Sequence, residues 1–535
     1  MIDNKKPESD APKRIKKIVV LGGGTAGFLS AIALNRSLPN VEVVIIRSTK
    51  MGVIGVGEGT IPSVVHFLHH FLEIDTFDLY KKVSASPKLG IRYLWGKRPY
   101  FNYTFSGQLV SPHRQMQKPR GYYCDEEFDF ADLNAALMNN NNVCMRFPNG
   151  APRHNPNVSY HLENKKFVGF LEEMATTEGI QKIDDLVSDV ICDEEGVQSL
   201  ILETGRNIDG DFFIDCSGFR AEIISKALGE ERIDFRDALF CDRAVVGGWE
   251  RTDETYHPFT TAETMNAGWC WRIEHDQLIN RGYVFCSDFI SEDEAVAEYK
   301  RKNPRVGDPR VIRFDSNVVK RSWVKNVVAI GNSAGFVEPL EATAIGMICD
   351  ASLRLSKALS ASDGKILASQ RDIFNRITQK NWMIIRDFLA LHYKFNDRLD
   401  TPFWKAAMND VSLGDAQEYV DYFRDVGPDF AILNTELKRD FFTAEGYLVM
   451  LVGQRLPYQN DFKISTQERI TWSQFKQTID GVAAKGCSVP EFLKLARSPN
   501  SGELFGLKAR NNQKGNRNPA ARVGDSVNSG ELNWH

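Results

Sequence analysis

The sequence predicts an α/β fold: a Rossmann-like domain, elaborated by an inserted domain and closed by a mostly helical C-terminal region. Three observations carry that expectation. The apolar run Ile18-Val19-Val20-Leu21 leads into Gly22-Gly23-Gly24-Thr25-Ala26-Gly27, an amphipathic stretch to about residue 38, and a second apolar run, Val41 to Ile46. The same strand-then-glycine order returns far along the chain, where Val327-Val328-Ala329-Ile330 precedes Gly331-Asn332-Ser333-Ala334-Gly335. From about 370 to 495 the apolar spacing is mostly that of helices.

Taken in order, residues 1–15 are polar and contain proline, which predicts a flexible arm. In the first glycine loop, Gly22 permits a tight turn, Gly24 lets the backbone approach a pyrophosphate, and Gly27 lets the helix pack on the strand. The pyrophosphate would sit on the exposed amides at Thr25 and Ala26, where the helix begins. An acidic residue for the ribose hydroxyls is expected about 20 residues later. That position holds Arg47. It would stack on adenine or pair with a phosphate, and it keeps a phosphorylated nicotinamide cofactor open as a rival. Short strands are read at 186–192, 198–203 and 211–216, ending in Asp215-Cys216-Ser217-Gly218. The aromatic-rich segments 60–170 and 235–300 are candidates for an inserted substrate half of a discontinuous domain spanning 16–370. A helical region over 371–497 and a disordered, asparagine-rich tail over 498–535 complete the chain.

Composition removes several function classes. Hydrophobic residues make up 42% and charged residues 25% of the 535, as in ordinary globular proteins. Lys+Arg 66 against Asp+Glu 70 gives a net charge of -4, so no basic surface for nucleic acid or anionic membrane is expected. No apolar stretch approaches the roughly 20 residues that span a bilayer, and the N-terminus lacks the apolar core of a secretory signal. A cytoplasmic location is expected. The 9 cysteines are scattered singly, which predicts buried free thiols rather than disulfides or zinc. His66, His69 and His70 share a predicted helix, but no third ligand is placed for a metal site.

Five segments, in order, carry a resemblance: GGGTAG at 22–27, GVGEGTIP at 55–62, KLGIR at 88–92, GWCWRI at 268–273 and GNSAGFVEPLEATAIG at 331–346. Over about residues 16–405 the chain resembles the flavin-dependent halogenases, the group that includes the tryptophan halogenases. The resemblance implies FAD as cofactor, with contacts at Gly22, Gly24, Thr25, Ala26, Gly27, Arg47, Val187, Gly331, Asn332 and Ile345. It implies that FAD arrives reduced from a separate flavin reductase, and no second nucleotide fingerprint for a nicotinamide is evident. A halide (chloride, bromide or iodide) would lie against the backbone at Thr343 and Ala344. Hypohalous acid would then travel through an internal tunnel to Lys88, beside Glu341 and a small aromatic substrate. A homo-oligomer stays open.

These roles make chemical sense. A lysine ammonium polarises the oxidant by hydrogen bonding, or, desolvated and neutral, forms a haloamine. Glu341 would orient Lys88, stabilise the charge developing on the ring and accept its proton. Trp269 and Trp271 stand at strand spacing, so both rings face one side; the resemblance assigns them to a wall between substrate and flavin. Tyr103 and Phe105 would stack on the aromatic ring. The chain departs from the family at Glu274, where proline is usual, and at Ala342-Thr343-Ala344, where Ser-Thr-Gly is common. Ala344 cannot take glycine-only angles without strain, which favours a halide larger than chloride. Phe441-Phe442-Thr443-Ala444-Glu445-Gly446-Tyr447 does not reproduce the family's clasp on the amino acid, so an electron-rich aromatic, indole-like or phenolic, is expected. Two other readings remain: an FAD-dependent aromatic hydroxylase, and a flavin-binding protein without turnover.

Overall fold

The computed structural model describes residues 14–52, 57–110, 116–431, 434, 437, 441–460 and 463–506. Part of the segment 55–62, most of the arm 1–15 and most of the tail 498–535 lie outside them.

The two glycine loops belong to one sheet. Its strands run Trp323–Val324, Val327–Ala329, Phe212–Asp215, Lys17–Leu21, Glu42–Arg47 and Gln181–Asp184, parallel except for the first pair. The continuous apolar runs read in the sequence are the strands covered on both faces. The carboxyl ends of four neighbouring strands lead into Gly22, Arg47, Cys216 and Gly331. Ligands of open α/β sheets sit at that edge. The helix Thr25–Ser37 packs on the helices Asn164–Thr177 and Ala344–Ala361, with Ser30 Oγ 3.0 Å from Ser352 Oγ.

The two aromatic-rich segments join in a second sheet of seven strands. The order is Arg310–Arg313, Arg243–Glu250, Leu278–Phe285, Gly268–Glu274, Thr260–Met265, Gly90–Leu94 and Phe101–Thr104. The parallel pairing of Gly90–Leu94 with Thr260–Met265 stitches the segments together. A small sheet beside it pairs Ser159–Leu162 with Glu58–Gly59 and with Ser86–Lys88. The C-terminal region is helical, led by Ala368–Lys394, whose buried face meets Trp95, Trp404 and Tyr447 in one aromatic core.

Both ends of the described chain correct the boundaries expected from composition. Ile15 is buried and Arg14 pairs with Asp363, so packing begins inside the expected arm. Ser501–Leu504 is helical and Phe505 is buried between Phe77 and Phe492, so packing continues past 497. Apolar side chains too sparse to mark a segment as folded still suffice where a groove receives them.

Seven cysteines are buried free thiols, whereas Cys192 is exposed and Cys216 half-buried. His69 bonds Ile74 O and Tyr160 OH, both at 2.7 Å, while His66 and His70 stack on each other. Among the described residues no group of three His, Cys, Asp or Glu could hold a metal, and no helix is long and apolar enough to cross a membrane.

Candidate active site

A Cβ on Gly22 (φ +132°) would lie 2.2 Å from Cys216 O, and one on Gly27 would lie 1.9 Å from Gly22 O. Both positions therefore require glycine. A Cβ on Gly24 would meet nothing within 4 Å, so the loop is open on that side. Gly24 caps the helix Thr25–Ser37 with no side-chain bond, and no acidic residue stands in the first turn. The amides of Thr25 and Ala26 are thus free to meet a phosphate. Gly331 (φ +78°) approaches so closely that an added Cβ would be 2.9 Å from Ala26 Cβ, bringing the two glycine loops into contact. Donor-rich, glycine-lined and free of competing carboxylates, this cradle fits the pyrophosphate of FAD.

Arg47 lies over Gly23 and pairs with Glu172 at 2.6 Å and with Asp184 at 3.9 Å. Its carbonyl accepts from Asp185 N, which places the strand Val187–Asp193 at the same edge; Val187 packs against the apolar cluster of Leu21 and Ile46. Ile345, in the first turn of the helix Ala344–Ala361, is buried in the core that the helix shares with the strands Lys17–Leu21 and Phe212–Asp215.

Gly331, Asn332, Gly335, Phe336, Thr343 and Ala344 line a small cleft next to this cradle. Ala344 is the first residue of its helix and takes ordinary helical geometry. The strain expected at Ala344 is therefore absent. The left-handed residue is Ala342 (φ 55°), which lets the chain turn from the 3-10 turn Pro339–Glu341 into the helix. The argument for a larger halide loses its geometric basis.

Across that turn from the cleft is Lys88. It is 0% exposed, donates to Thr60 O at 3.0 Å and stands 5.2 Å from the Phe105 ring. A Cβ on Gly59 would be 3.1 Å from both Lys88 Nζ and Ala342 Cβ, so the amine abuts the turn. Burial brings the Lys88 ammonium down to about 7, against the opposing pull of Glu341. Glu341 is buried; its Oε1 accepts from Tyr93 OH and lies 2.9 Å from His392 Nε2, with one proton between the two. It is therefore no capping carboxylate of the helix that follows. Glu338, at the other end of the turn, accepts from Trp269 Nε1 at 2.7 Å and from Tyr393 OH, and burial pushes it up to about 7.

Trp269 and Trp271 have ring centroids 5.9 Å apart, and Trp271 lies on Gly282, where a Cβ would be 1.9 Å from its ring. Their strand stays in register through Glu274, opposite Ile279, so the missing proline leaves the backbone straight; Glu274 pairs with Arg251 and Arg272. Tyr103 leans toward Phe388 (6.4 Å) and Gly446, while Phe105 faces Lys88. Glu445 accepts from the backbone amides of Gln108, Leu109 and Val110 at 2.7–3.0 Å.

Sequence reasoning missed Tyr93, His392, Tyr393 and Glu338. Tyr93 carried a signal of a kind: it lies five residues after Lys88 in a strand whose alternation aims it inward. His392 and Tyr393 end a long helix and stand in no local motif.

A glycine cradle at the carboxyl edge of a parallel sheet is joined by one turn of chain to a buried amine, an arrangement in keeping with a nucleotide-binding enzyme. The tryptophan halogenase family model matches residues 17–467, and this chain belongs to that family. It is 30% identical to the tryptophan 6-halogenase ThaL of Streptomyces albogriseolus, over 90% of this chain and 97% of that one. It is 32% identical to the tryptophan 7-halogenase RebH of Lentzea aerocolonigenes, over 77% and 82%. Among solved structures it resembles MibH, a lanthipeptide tryptophan 5-halogenase, at 34% identity and a TM-score of 0.84, covering 93% of this chain and 97% of MibH. The flavin-dependent halogenase BrvH from Brevundimonas superposes with a TM-score of 0.79 at 27% identity, over 91% and 100%. The protein is a flavin-dependent halogenase.

Proposed function

We propose that the protein halogenates an electron-rich aromatic, indole-like or phenolic, using FAD reduced by a separate reductase together with chloride, bromide or iodide. Bound reduced FAD supplies, with dioxygen, the oxidising power that turns halide into hypohalous acid. Gly22, Gly24, Thr25, Ala26, Gly27, Gly331 and Asn332 hold the cofactor, and Thr343 and Ala344 offer backbone to the halide. Trp269, tied to Glu338, keeps the substrate from the flavin side. Lys88 receives the oxidant through an internal passage and hydrogen-bonds its oxygen. The ring attacks the halogen, the halogen–oxygen bond breaks, and Glu341 takes the ring proton.

The observation that carries this reading is a fully buried amine separated from the cofactor cleft by a single turn of chain. Glu445 bears on the substrate: its carboxylate is engaged by three amides and is not free for an amino group. That supports an aromatic recognised by its ring over one held by an α-ammonium. Incubation with reduced FAD, dioxygen and bromide over a panel of indoles and phenols tests it, read by mass spectrometry. Halide-dependent gain of bromine is expected. Incorporated oxygen independent of halide would make it a hydroxylase, and no product with oxidised flavin accumulating would make it a silent flavoprotein.

A further inference from the structure

The hydrogen bonds around Glu341 locate a proton. His392 is fully buried, and its Nδ1 is 2.9 Å from the carbonyl oxygen of Phe388, which only accepts; Nδ1 therefore carries a hydrogen. Its Nε2 is 2.9 Å from Glu341 Oε1. A bare Nε2 lone pair facing a bare carboxylate oxygen would repel, so one proton lies between them, as imidazolium–carboxylate or as imidazole–carboxylic acid. Tyr93 OH donates to the same Oε1. Among the described residues no hydrogen bond falls on Oε2.

We propose that Tyr93 and His392 are positioning residues that pin Oε1 of Glu341 and hold a proton against it, presenting Oε2 to the ring proton of the substrate. The proposal rests on the halogenase reading with Lys88 and Glu341 in their stated roles. The atoms balance. The ring's π pair forms the carbon–halogen bond as the halogen–oxygen bond of hypohalous acid breaks. The departing hydroxide takes a proton from the Lys88 ammonium and leaves as water. The C–H pair returns to the ring, and its proton goes to Oε2. If the shared proton began on Oε1, it moves to Nε2 in the same step. Both starting forms end as a carboxylic acid protonated at Oε2 beside an imidazolium. One proton leaves Lys88 and one reaches the Glu341–His392 pair, so the buried pocket keeps its net charge. A low-dielectric site that changed charge at each turnover would face a large desolvation cost.

The same pair fixes the turn in space. Glu341 bonds His392 and Glu338 bonds Tyr393, so two adjacent helix residues hold both ends of the segment that separates Lys88 from the cofactor cleft.

The test uses the full-length enzyme with reduced FAD and bromide, and an indole competed against the same indole deuterated at the carbon that is halogenated. In the wild type, ring attack precedes proton loss, and an isotope effect near 1 is expected. His392→Gln keeps a donor but cannot take up a proton. It is expected to lower kcat by about tenfold or more with KM within about twofold, and to raise the isotope effect above about 2. Tyr93→Phe removes a hydroxyl alone and is expected to lower kcat about threefold in the same direction. A wild-type isotope effect in His392→Gln, whether or not kcat falls, would overturn the proposal, because a merely structural loss does not slow proton removal selectively. Failure of the underlying reading looks different: the wild type itself would incorporate no bromine.

Discussion

Lys88 and Arg47 are both cations at the ends of strands, and the fold treats them in opposite ways. Lys88 is sealed off, with a carbonyl oxygen as its hydrogen-bond partner and no carboxylate at ion-pair distance among the described residues. Arg47 keeps 22% of its side chain exposed and is flanked by Glu172 and Asp184. Guanidinium is weakly hydrated and holds its charge in any protein setting, so two carboxylates at a rim suffice to place it. An ammonium is strongly hydrated, and stripping that water brings its proton affinity near neutrality. The molecule thus has one cation suited to holding an anion and one suited to exchanging a proton.

The sharpest way to break that contrast is to remove the lysine. Lys88→Ala is expected to lower halogenation by about 10³-fold or more, while FAD binding and oxidation by dioxygen stay within about twofold. Regioselective halogenation retained in this variant would end the delivery role. Glu341→Gln, which keeps the shape and removes the acceptor, is expected to cost about 10²-fold in kcat. Loss of FAD affinity instead would assign Glu341 to the cofactor.

A third measurement isolates the proton. The folded Lys88 releases its proton near 7, whereas an unfolded lysine does so near ~10.4. Between those values the unfolded chain binds the proton and the folded chain does not, so this group makes the fold more stable as pH rises. Below 7 both states are protonated and the burial penalty is at its full size. Lys88→Met removes the penalty. Its advantage in Tm over the wild type should be greatest at pH 6 and shrink steadily toward pH 10. An advantage that did not vary with pH would mean that Lys88 keeps its proton throughout.

The two cations also differ in how far they could be read beforehand. Arg47 stands at a position that strand length and glycine spacing fix, so its place at the carboxyl end of a strand of the parallel sheet followed from local pattern. The resemblance of KLGIR pointed to Lys88, but nothing nearby in sequence announces its burial. The groups that shape its surroundings come from residues 59–60, 93, 105, 341 and 392, on strands, loops, a 3-10 turn and a helix brought together by tertiary packing. Periodicity marks which face of each element turns inward and is silent on which inward faces meet. The same limit explains Ala344: the sequence shows a missing glycine, whereas the positive φ falls two residues earlier, at Ala342. Composition likewise ended the fold near 497, and Phe505 shows that one aromatic ring in a waiting groove extends it.

The smallest expected effect concerns Arg47 and sharpens the comparison from the other side. Its ion pairs are partly exposed and worth about 0.2–1 kcal/mol, so Arg47→Ala should barely change Tm. If the guanidinium turns from Glu172 to the adenosine part of FAD, the variant should bind FAD about tenfold more weakly, or about 1.4 kcal/mol, with kcat unchanged at saturating FAD. Arg47→Lys keeps the charge but not the planar fork, and should recover only part of that affinity. Raising the salt concentration should narrow the difference between wild type and Arg47→Ala, because a rim charge is screened where a buried one is not. A phosphorylated nicotinamide supplies the opposite outcome: if NADPH bound the wild type more tightly than FAD and Arg47→Ala abolished that preference, the arginine would be reading a ribose phosphate. Equal FAD affinity in all three proteins would confine Arg47 to its bonds with Glu172 and Asp184.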